Sequence, residues 1–464
     1  MFSSKRVSYL GNAAVVALAA FAAIVPFSAR SETIQGALAR AYHANPDLNS
    51  QRALTRAADE SVPQALSGYR PKLTGAADAG VVDQNAHTQF SPNTHTQFTP
   101  RGYSVTLDQT LYNGGRTANA VGSAESRILA SRETLRNTEQ TILLNAATAY
   151  MNVLRDTALL NLRRNNIDVL TAQLRQTSDR FKVGEVTRTD VAQAEASVAR
   201  SRSDAYLAES NLKTSIATYR QIVGDEPKKL LPAMTVEKLL PKSQNLALGM
   251  SQKEHPAIIA SLHGVDQQAL TVKTVEGELY PTLTISAVGS RRYESTSIGS
   301  DSLSGSLIAR LSVPIYEGGA VYSRVREAKE TLTSQRIVVD SQRERVRQLV
   351  VSSWGALEAA KAQIQAGEAL VRSAELALSG VREEAKVGQR TTLDVLNAQQ
   401  VVLDARVILI TAQRDRVVAS YNVLSSVGRL SLRTLGVNVA AYDPKIHYGQ
   451  VRDKAIGLRT PDGQ

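Results

Sequence analysis

Hydrophobic residues recur along this chain with two different periods, and the longer period dominates. Over long stretches the apolar positions step by three and four residues, which indicates one buried face of an α-helix. One such stretch runs without a Pro or Gly break from about residue 123 to residue 181. Counted from Gly115, the predicted helix is about 100 Å long at a rise of about 1.5 Å per residue. No ordinary globular domain holds a helix of that length, so the pattern predicts an extended coiled-coil protein.

Four shorter segments alternate apolar and polar residues, and this period of two indicates β-strands with one apolar face. The segments are 73–81, 103–111, 283–289 and 307–315. The strands are roughly 9–11 residues long, the size of a tilted membrane-spanning strand. Four strands cannot close a membrane barrel, so the chain must oligomerise if they span the bilayer. A pair of soluble hairpins is the alternative. The polar segments between the paired strands, 84–100 and 291–302, are expected to be loops.

The second half of the chain repeats the first half. Tyr112-Asn113-Gly114-Gly115 recurs 204 residues later as Tyr316-Glu317-Gly318-Gly319, and the same offset relates the turns that follow the long helices. A constant offset means that neither long helix carries an insertion. Each repeat has a short helix, two strands, a long helix and another short helix. The predicted divisions are a signal peptide (1–31), repeat 1 (32–225), a linker (226–244), repeat 2 (245–430) and a flexible C-terminal tail (431–464).

A turn motif follows each long helix. Val183-Gly184 and Val387-Gly388 place glycine where a helix ends in the left-handed conformation. Thr187-x-x-Asp190 and Thr391-x-x-Asp394 then have the spacing of a capping box, with Asp in place of the usual Glu. Each motif is therefore predicted to be the tip of a helical hairpin.

The N-terminus and the composition indicate an exported protein. Lys5 and Arg6 precede an apolar run over residues 10–25, and Ala29-Arg30-Ser31 supplies small residues for cleavage after Ser31. No other apolar run approaches a membrane span, so the mature chain is expected to have no transmembrane helix. Cysteine is absent, which excludes a disulfide framework, a Cys-ligated zinc site and a lipoprotein anchor.

Charge and motifs give no indication of nucleic-acid binding or catalysis. The net charge is +11, but Lys and Arg are interspersed with Asp and Glu along the helices, as on a solvated helix face. His87 and His95 lie in the polar segment without an evident third ligand, so we expect no metal site and no cofactor. No protease, hydrolase or P-loop motif is present, which disfavours an enzyme.

The repeated layout, with Leu396-Asn397-Ala398 after the second turn, resembles the outer membrane efflux protein family, the TolC-like channels. The resemblance covers roughly residues 32–430. It implies an α+β membrane protein: a homotrimer with a twelve-stranded outer-membrane β-barrel, four strands per chain, continuous with a long periplasmic α-helical coiled-coil barrel. It implies an exit duct of tripartite multidrug efflux or type I secretion systems, with no reaction of its own. The implied partners are outer-membrane lipid, a periplasmic adaptor (membrane fusion) protein and an inner-membrane RND, MFS or ABC pump.

The resemblance also assigns roles to residues at the hairpin tips. Asp394 matches an acidic residue of the pore constriction, and Asn397 stands where the family has the next acid. The residues matching the gate or latch are Arg390, Thr189 and Asp190. The tip turns implied to contact the adaptor are Val183, Gly184, Val387 and Gly388.

Two alternatives stay open at this point. Asp190 is interpreted first as a helix cap, and Asp394 as a cap, a constriction residue or both. A periplasmic coiled-coil adaptor without a pore would explain the helices and the export. It would not need four amphipathic strands or a Gly-Gly pair at each strand–helix junction.

Overall fold

The computed structural model describes residues 32–88, 91–461 and 463. The predicted signal peptide, residues 1–31, lies outside the described residues. In the described part the α-helices are α1 (Ile34–Ala44), α2 (Pro46–Asp59), α3 (Ser61–Leu66), α4 (Arg116–Lys182), α5 (Arg188–Val223), α6 (Gln244–Glu254), α7 (Pro256–Glu276), α8 (Ala320–Lys386), α9 (Thr392–Ser426) and α10 (Pro444–Val451). The strands are β1 (Lys72–Ala79), β2 (Val82–Thr88), β3 (Ser91–Phe98), β4 (Arg101–Asn113), β5 (Thr282–Tyr293) and β6 (Asp301–Ser312).

The two long helices are equal in length, as the constant offset predicts. Helices α4 and α8 have 67 residues each, which is about 100 Å at a rise of about 1.5 Å per residue. Both begin after a glycine in the left-handed conformation, Gly115 with φ 73° and Gly319 with φ 84°. Helix α5 returns along α4, and α9 returns along α8, so each repeat contributes one long helical hairpin.

The short helices pack beside the long ones. Helices α1, α2 and α3 lie along the part of α4 that α5 leaves uncovered, and α7 packs between α4 and α8. Pro46 and Pro256 each start a helix at its first position, where their missing N–H costs nothing. Two short helices therefore lie end to end beside one long helix.

The largest apolar cluster joins the two repeats, and it centres on Tyr150 and Tyr219, both fully buried. The Tyr150 hydroxyl shares its one proton between the carbonyl oxygens of Glu32 at 2.8 Å and Leu231 at 2.6 Å. The Glu32 carboxylate accepts a hydrogen bond from the Tyr219 hydroxyl and pairs with Arg40. The start of repeat 1 and the linker are thereby held against the middle of α4.

The two repeats share one antiparallel sheet in the order β1-β4-β5-β6, with β4 of repeat 1 paired to β5 of repeat 2. Strands β2 and β3 form a separate hairpin beyond the outer end of β1 and β4. The expectation of a loop over 84–100 is therefore wrong for most of that segment. The strands were not predicted because this segment is mostly polar and lacks the alternation of apolar and polar residues that indicates a strand. A hairpin that packs on no apolar core does not need this alternation.

The registers of the four-stranded sheet place most apolar residues on one face and most polar residues on the other. The first face carries Leu73, Ala77, Tyr103, Val105, Leu107, Leu283, Ile285, Ala287, Leu303, Leu307, Ala309 and Leu311. The second face carries Thr74, Asp78, Ser104, Thr106, Asp108, Thr284, Ser286, Ser290, Ser304 and Ser306. In the described part of the chain, the outer edges of β1 and β6 pair with no other strand.

The segment expected to be a flexible tail instead packs onto repeat 1 over part of its length. Helix α10 contacts α2, and His447 Nδ1 lies 3.0 Å from Asp59 Oδ2, with both side chains buried. Pro444 is the first residue of α10, and the Asp443 side chain caps that helix. The buried partners of this helix lie far away in sequence, so the local pattern could not reveal them.

Candidate functional site: the helical hairpin tips

Both hairpin tips close through the same backbone geometry. Gly184 has φ 80° and Gly388 has φ 81°. In the first tip the Gly184 N–H donates to the Phe181 carbonyl at 3.0 Å, and the Glu185 N–H donates to the Arg180 carbonyl at 2.9 Å. The second tip repeats this pair of bonds at the positions 204 residues later. This pattern satisfies the last carbonyls of each long helix and confirms the predicted left-handed glycines.

The returning helices start with the predicted capping boxes. In the second tip the Asp394 N–H donates to Thr391 Oγ1 at 3.2 Å, and the Thr391 N–H donates to Asp394 Oδ2 at 2.9 Å. Thr187 and Asp190 form the same reciprocal pair in the first tip. The hydrogen bond from the Thr391 backbone, followed by that from its side chain, lowers the pKa of Asp394. Hydrogen bonds from Thr187 likewise lower the pKa of Asp190.

Arg390 is oriented by an acidic residue of its own tip. Its Nε donates to Glu384 Oε2 at 2.8 Å, and both side chains are about half exposed. This pairing, which raises the pKa of Arg390, was not predicted from the sequence. Within the described residues, no hydrogen bond of this single chain joins Arg390 to Thr189. The link between these two residues therefore stays a prediction.

The first tip contains a matching ion pair with the charges exchanged. Arg180 Nε donates to Glu185 Oε2 at 2.9 Å. Arg180 and Glu384 are equivalent under the offset of 204, so one position carries opposite charges in the two repeats. That charge exchange was the one sequence feature that could have indicated these pairs.

The second tip presents its polar residues on one side of α9. Val395 and Leu396 are buried, and Leu396 packs with Leu170 of α4 and Val198 of α5. Asp394 is partly exposed and Asn397 is exposed, one helical turn further on. The apolar contact fixes the rotation of α9, so both predicted constriction residues lie off the side that packs on the first hairpin.

An open cleft of about 700 Å³ separates the two hairpins near their tips. Its walls include Gln173, Arg180, Arg382, Lys386 and Gln399. The described residues contain no group of three His, Asp or Glu side chains that could hold a metal ion.

Helix α9 is long and apolar enough to cross a membrane by length and composition alone. It lies along α8 for its whole course, which identifies it as the second arm of a hairpin.

The chain was compared with known protein families and with individual relatives. A model of the outer membrane efflux protein family matches residues 37–225 and 247–429, one segment in each repeat. The outer membrane efflux protein BepC of Brucella suis is 42% identical over 439 residues, which are 94% of each chain. The outer membrane protein TolC of Escherichia coli is 26% identical over 434 residues, 88% of this chain and 84% of that protein.

Solved structures share the fold. The Campylobacter jejuni CmeC outer membrane channel has a TM-score of 0.74 at 16% identity and covers 90% of this chain and 89% of its own. The outer membrane protein VceC of Vibrio cholerae has a TM-score of 0.72 at 18% identity and covers 85% of this chain and 96% of its own. The family model covers both repeats and these relatives are outer membrane proteins, which argues against the alternative of a coiled-coil adaptor. The chain therefore belongs to the outer membrane efflux protein family and resides in the outer membrane, from which it extends into the periplasm.

Proposed function

We propose that three copies of this chain form one exit duct, with a twelve-stranded barrel in the outer membrane and a helical barrel through the periplasm. The observation that carries the proposal is the four-stranded sheet, which is amphipathic and whose two outer edges pair with no strand among residues 32–88 and 91–461. Unpaired backbone groups at an edge cannot remain in hydrocarbon, because no water is present to bond them. The edges must pair with other copies.

The strand directions favour closure by identical copies. Neighbouring strands are antiparallel throughout the sheet. Since the sheet has an even number of strands, β1 and β6 run in opposite directions. Strand β6 of one copy can therefore pair with β1 of the next and continue the antiparallel order. Four strands per copy fall short of the smallest membrane barrels, which have about eight, and three copies supply twelve.

The hairpin tips are then the periplasmic mouth of the duct. Three copies of Asp394 would form an acidic ring there, with neutral Asn397 one turn further on. Repulsion within the ring would act against the hydrogen bonds that lower the pKa of each Asp394. Arg390, Thr189 and Asp190, which lie where the returning helices of the two hairpins begin, would form the latch between neighbouring helices.

The exposed apolar tips support docking of a periplasmic adaptor. Val183 is 70% exposed and Val387 is 72% exposed, each beside a turn glycine. Small exposed apolar side chains at the end of one coiled coil can pack against the apolar side chains at the end of another helical hairpin. The adaptor would connect the duct to an inner-membrane pump of the RND, MFS or ABC class. The duct itself would perform no reaction and need no cofactor.

Assembly is the direct test of this proposal. Native mass measurement of the mature protein in detergent, together with circular dichroism, should give a trimer that retains its β-structure until it dissociates. The expected reason is that the barrel exists only between copies. A monomer with its full β-structure would contradict the proposal, because it would mean that the sheet needs no partner.

A further inference from the structure

The apolar face of the sheet ends in a pair of arginines at the end remote from the helices. Arg101 and Arg291 lie on the same face as Tyr103 and Leu303, according to the strand registers. Arg291 is eight residues from Leu283 on β5. That separation is about 27 Å along the strand, or about 20 Å of depth at a tilt of about 40°. The apolar band of a membrane barrel has a similar height, about 25 Å. The two guanidinium groups therefore lie at its outer boundary.

The guanidinium groups of Arg101 and Arg291 both contact the aromatic ring of Tyr293. The Cζ atoms of Arg101 and Arg291 lie 5.7 Å and 5.1 Å from the centre of the Tyr293 ring. Arg101 is directly opposite Tyr293 in the pairing of β4 with β5. Cation–π contact at these distances keeps two like charges side by side without an acid between them. The arginines are therefore oriented before any ligand arrives.

Two acidic residues, Asp301 and Glu294, lie near this pair, and neither occupies the hydrogen-bond donors of Arg101. Asp301 Oδ2 lies 3.3 Å from Arg291 Nη2. Glu294 accepts hydrogen bonds from the backbone and side chain of Thr99. Within the described residues, Arg101 has no carboxylate oxygen within 4.0 Å. Arg101 therefore keeps its hydrogen-bond donors for a ligand on the apolar face, while the Glu294 carboxylate attracts it only at longer range.

The position of the two arginines in the sheet excludes another copy of this chain as the molecule that contacts them. Arg101 is on β4 and Arg291 is on β5, the two central strands, whereas other copies would pair with the edges of β1 and β6. The molecule that faces central strands on the apolar side is lipid. An anionic lipid headgroup supplies the charge complement, and phosphate matches the bidentate donors of arginine.

We propose that Arg101, Arg291 and Tyr293 form a binding site for the phosphate groups of a phosphorylated glycolipid in the outer leaflet. The proposal rests on the proposed trimeric barrel, because that barrel directs the apolar face outward and this end of the sheet away from the periplasm. Each guanidinium would bind phosphate oxygens while the acyl chains lie along the apolar band below. Three such sites would surround the barrel.

The test uses the mature trimer in detergent and bisphosphorylated lipid A, with binding followed by native mass spectrometry. The double variant Arg101→Gln/Arg291→Gln should bind at least tenfold more weakly than the unchanged protein. Arg292→Gln is the matched control, because Arg292 lies on the opposite, polar face of the same strand and pairs with Asp78. This control should bind as the unchanged protein does.

Dephosphorylated lipid A gives a second measurement on the unchanged protein, and it should bind at least tenfold more weakly. Equal binding of the two lipids, equal binding by the double variant, or equal loss in Arg292→Gln would each overturn the site. So would competition by millimolar inorganic phosphate, which would indicate a general anion site. A monomeric protein in the same mass spectrum would instead overturn the proposed function, so the two failures are distinguishable.

Discussion

At the scale of the residue, Asp394 caps α9 and is also the proposed constriction residue, so a substitution of Asp394 itself changes both. Its Oδ2 accepts hydrogen bonds from the backbone and side chain of Thr391, which starts α9. The same carboxylate is partly exposed on the side of the helix that carries Asn397. Thr391 takes part only in the cap. Substitution at Thr391 can therefore remove the cap while the charge remains.

Asp394→Ala should remove most of the block that a trivalent cation causes from the periplasmic side. The cap hydrogen bonds keep the pKa of Asp394 low, so the proposed ring is charged at neutral pH and attracts multivalent cations. Asn397→Asp should deepen the block by adding a second ring. The measurement is single-channel recording in a planar bilayer.

Thr391→Ala is the control for this prediction, because it removes the cap at a cost of about 1 kcal/mol and leaves the carboxylate in place. It should lower the thermal stability and keep the block. If Asp394→Ala only lowers stability and leaves the block unchanged, the residue is a cap and the constriction lies elsewhere.

The sequence predicted the caps and the left-handed glycines because each depends on residues three to six apart. It did not predict the pairing of Arg390 with Glu384, because the path of the turn between them decides whether the side chains meet. It also could not pair His447 with Asp59, which lie on two helices 388 residues apart. Residue spacing can predict a helix cap or a turn, but it cannot predict a contact between segments that are distant in the sequence.

At the scale of the element, the two repeats cap equivalent helices, α2 and α7, with different side chains. Asn45 caps α2 by accepting hydrogen bonds from the Asp47 and Leu48 N–H groups. His255 occupies the equivalent place in repeat 2, and its Nδ1 accepts from the Ala257 N–H at 3.2 Å. The imidazole can accept this bond only while that nitrogen is unprotonated. One of the two caps therefore depends on pH.

The stability of the trimer should fall between pH 6.5 and pH 4 because of His255. Burial, with a smaller effect of Arg136, lowers the pKa of His255 from 6.5 to about 4. Since the folded protein prefers neutral imidazole, the stabilisation is complete above pH 6.5 and is lost as the pH falls toward 4. The loss is about 3 kcal/mol per chain, at 1.36 kcal/mol for each pH unit. Chemical unfolding at a series of pH values measures it.

His255→Asn supplies the residue that repeat 1 already uses at this place. It should keep the cap and flatten the stability profile across that pH range. An unchanged slope in this variant would assign the pH dependence to another group.

His447→Ala should destabilise the packing of α10 on α2 by about 2 kcal/mol, because it removes the hydrogen-bond partner of the buried Asp59 and leaves Arg132, whose Nη2 lies 3.8 Å from Asp59 Oδ1, as the remaining ion-pair partner among the described residues. Burial raises the pKa of Asp59, and the hydrogen bond with His447 is the largest of the effects that oppose this rise. Proteolysis of the C-terminal segment and thermal unfolding both measure the effect. Ile446→Ala, at a residue that is 63% exposed on the same helix, should change stability little. Equal effects of the two substitutions would contradict the contact.

Helices were easier to predict than strands for a physical reason. The long helices bury apolar residues along one seam, and a seam of that length repeats the same pattern many times. Strands β2 and β3 are short, polar and paired only with each other, so no apolar period marks them. Their pairing depends on backbone hydrogen bonds, which every residue except proline can supply.

At the scale of the whole molecule, the sheet and the hairpin tips lie at opposite ends of the long helices. The turn between β5 and β6 is at the far end of the sheet, and the tips are at the far ends of α4 and α8. If the sheet spans the outer membrane, these two groups of turns face different compartments.

Cysteine substitution should distinguish the two ends on intact cells, since the natural chain has no cysteine. Ser297→Cys, in the exposed turn between β5 and β6, should react with a membrane-impermeant thiol reagent. Gln389→Cys, at the second hairpin tip, should react only after the outer membrane is permeabilised. Labelling at Gln389→Cys with protection at Ser297→Cys would mean that the chain has the opposite orientation.

The equal length of α4 and α8 restricts how this protein can change during evolution. Seven residues added to one long helix alone would move its tip by about 10 Å while the other tip stayed in place. The Leu396 contact with the first hairpin would then be lost. Only matched insertions, made in both repeats, preserve that contact. Lineages with a deeper periplasm would therefore have to lengthen both helices together and by the same number of residues.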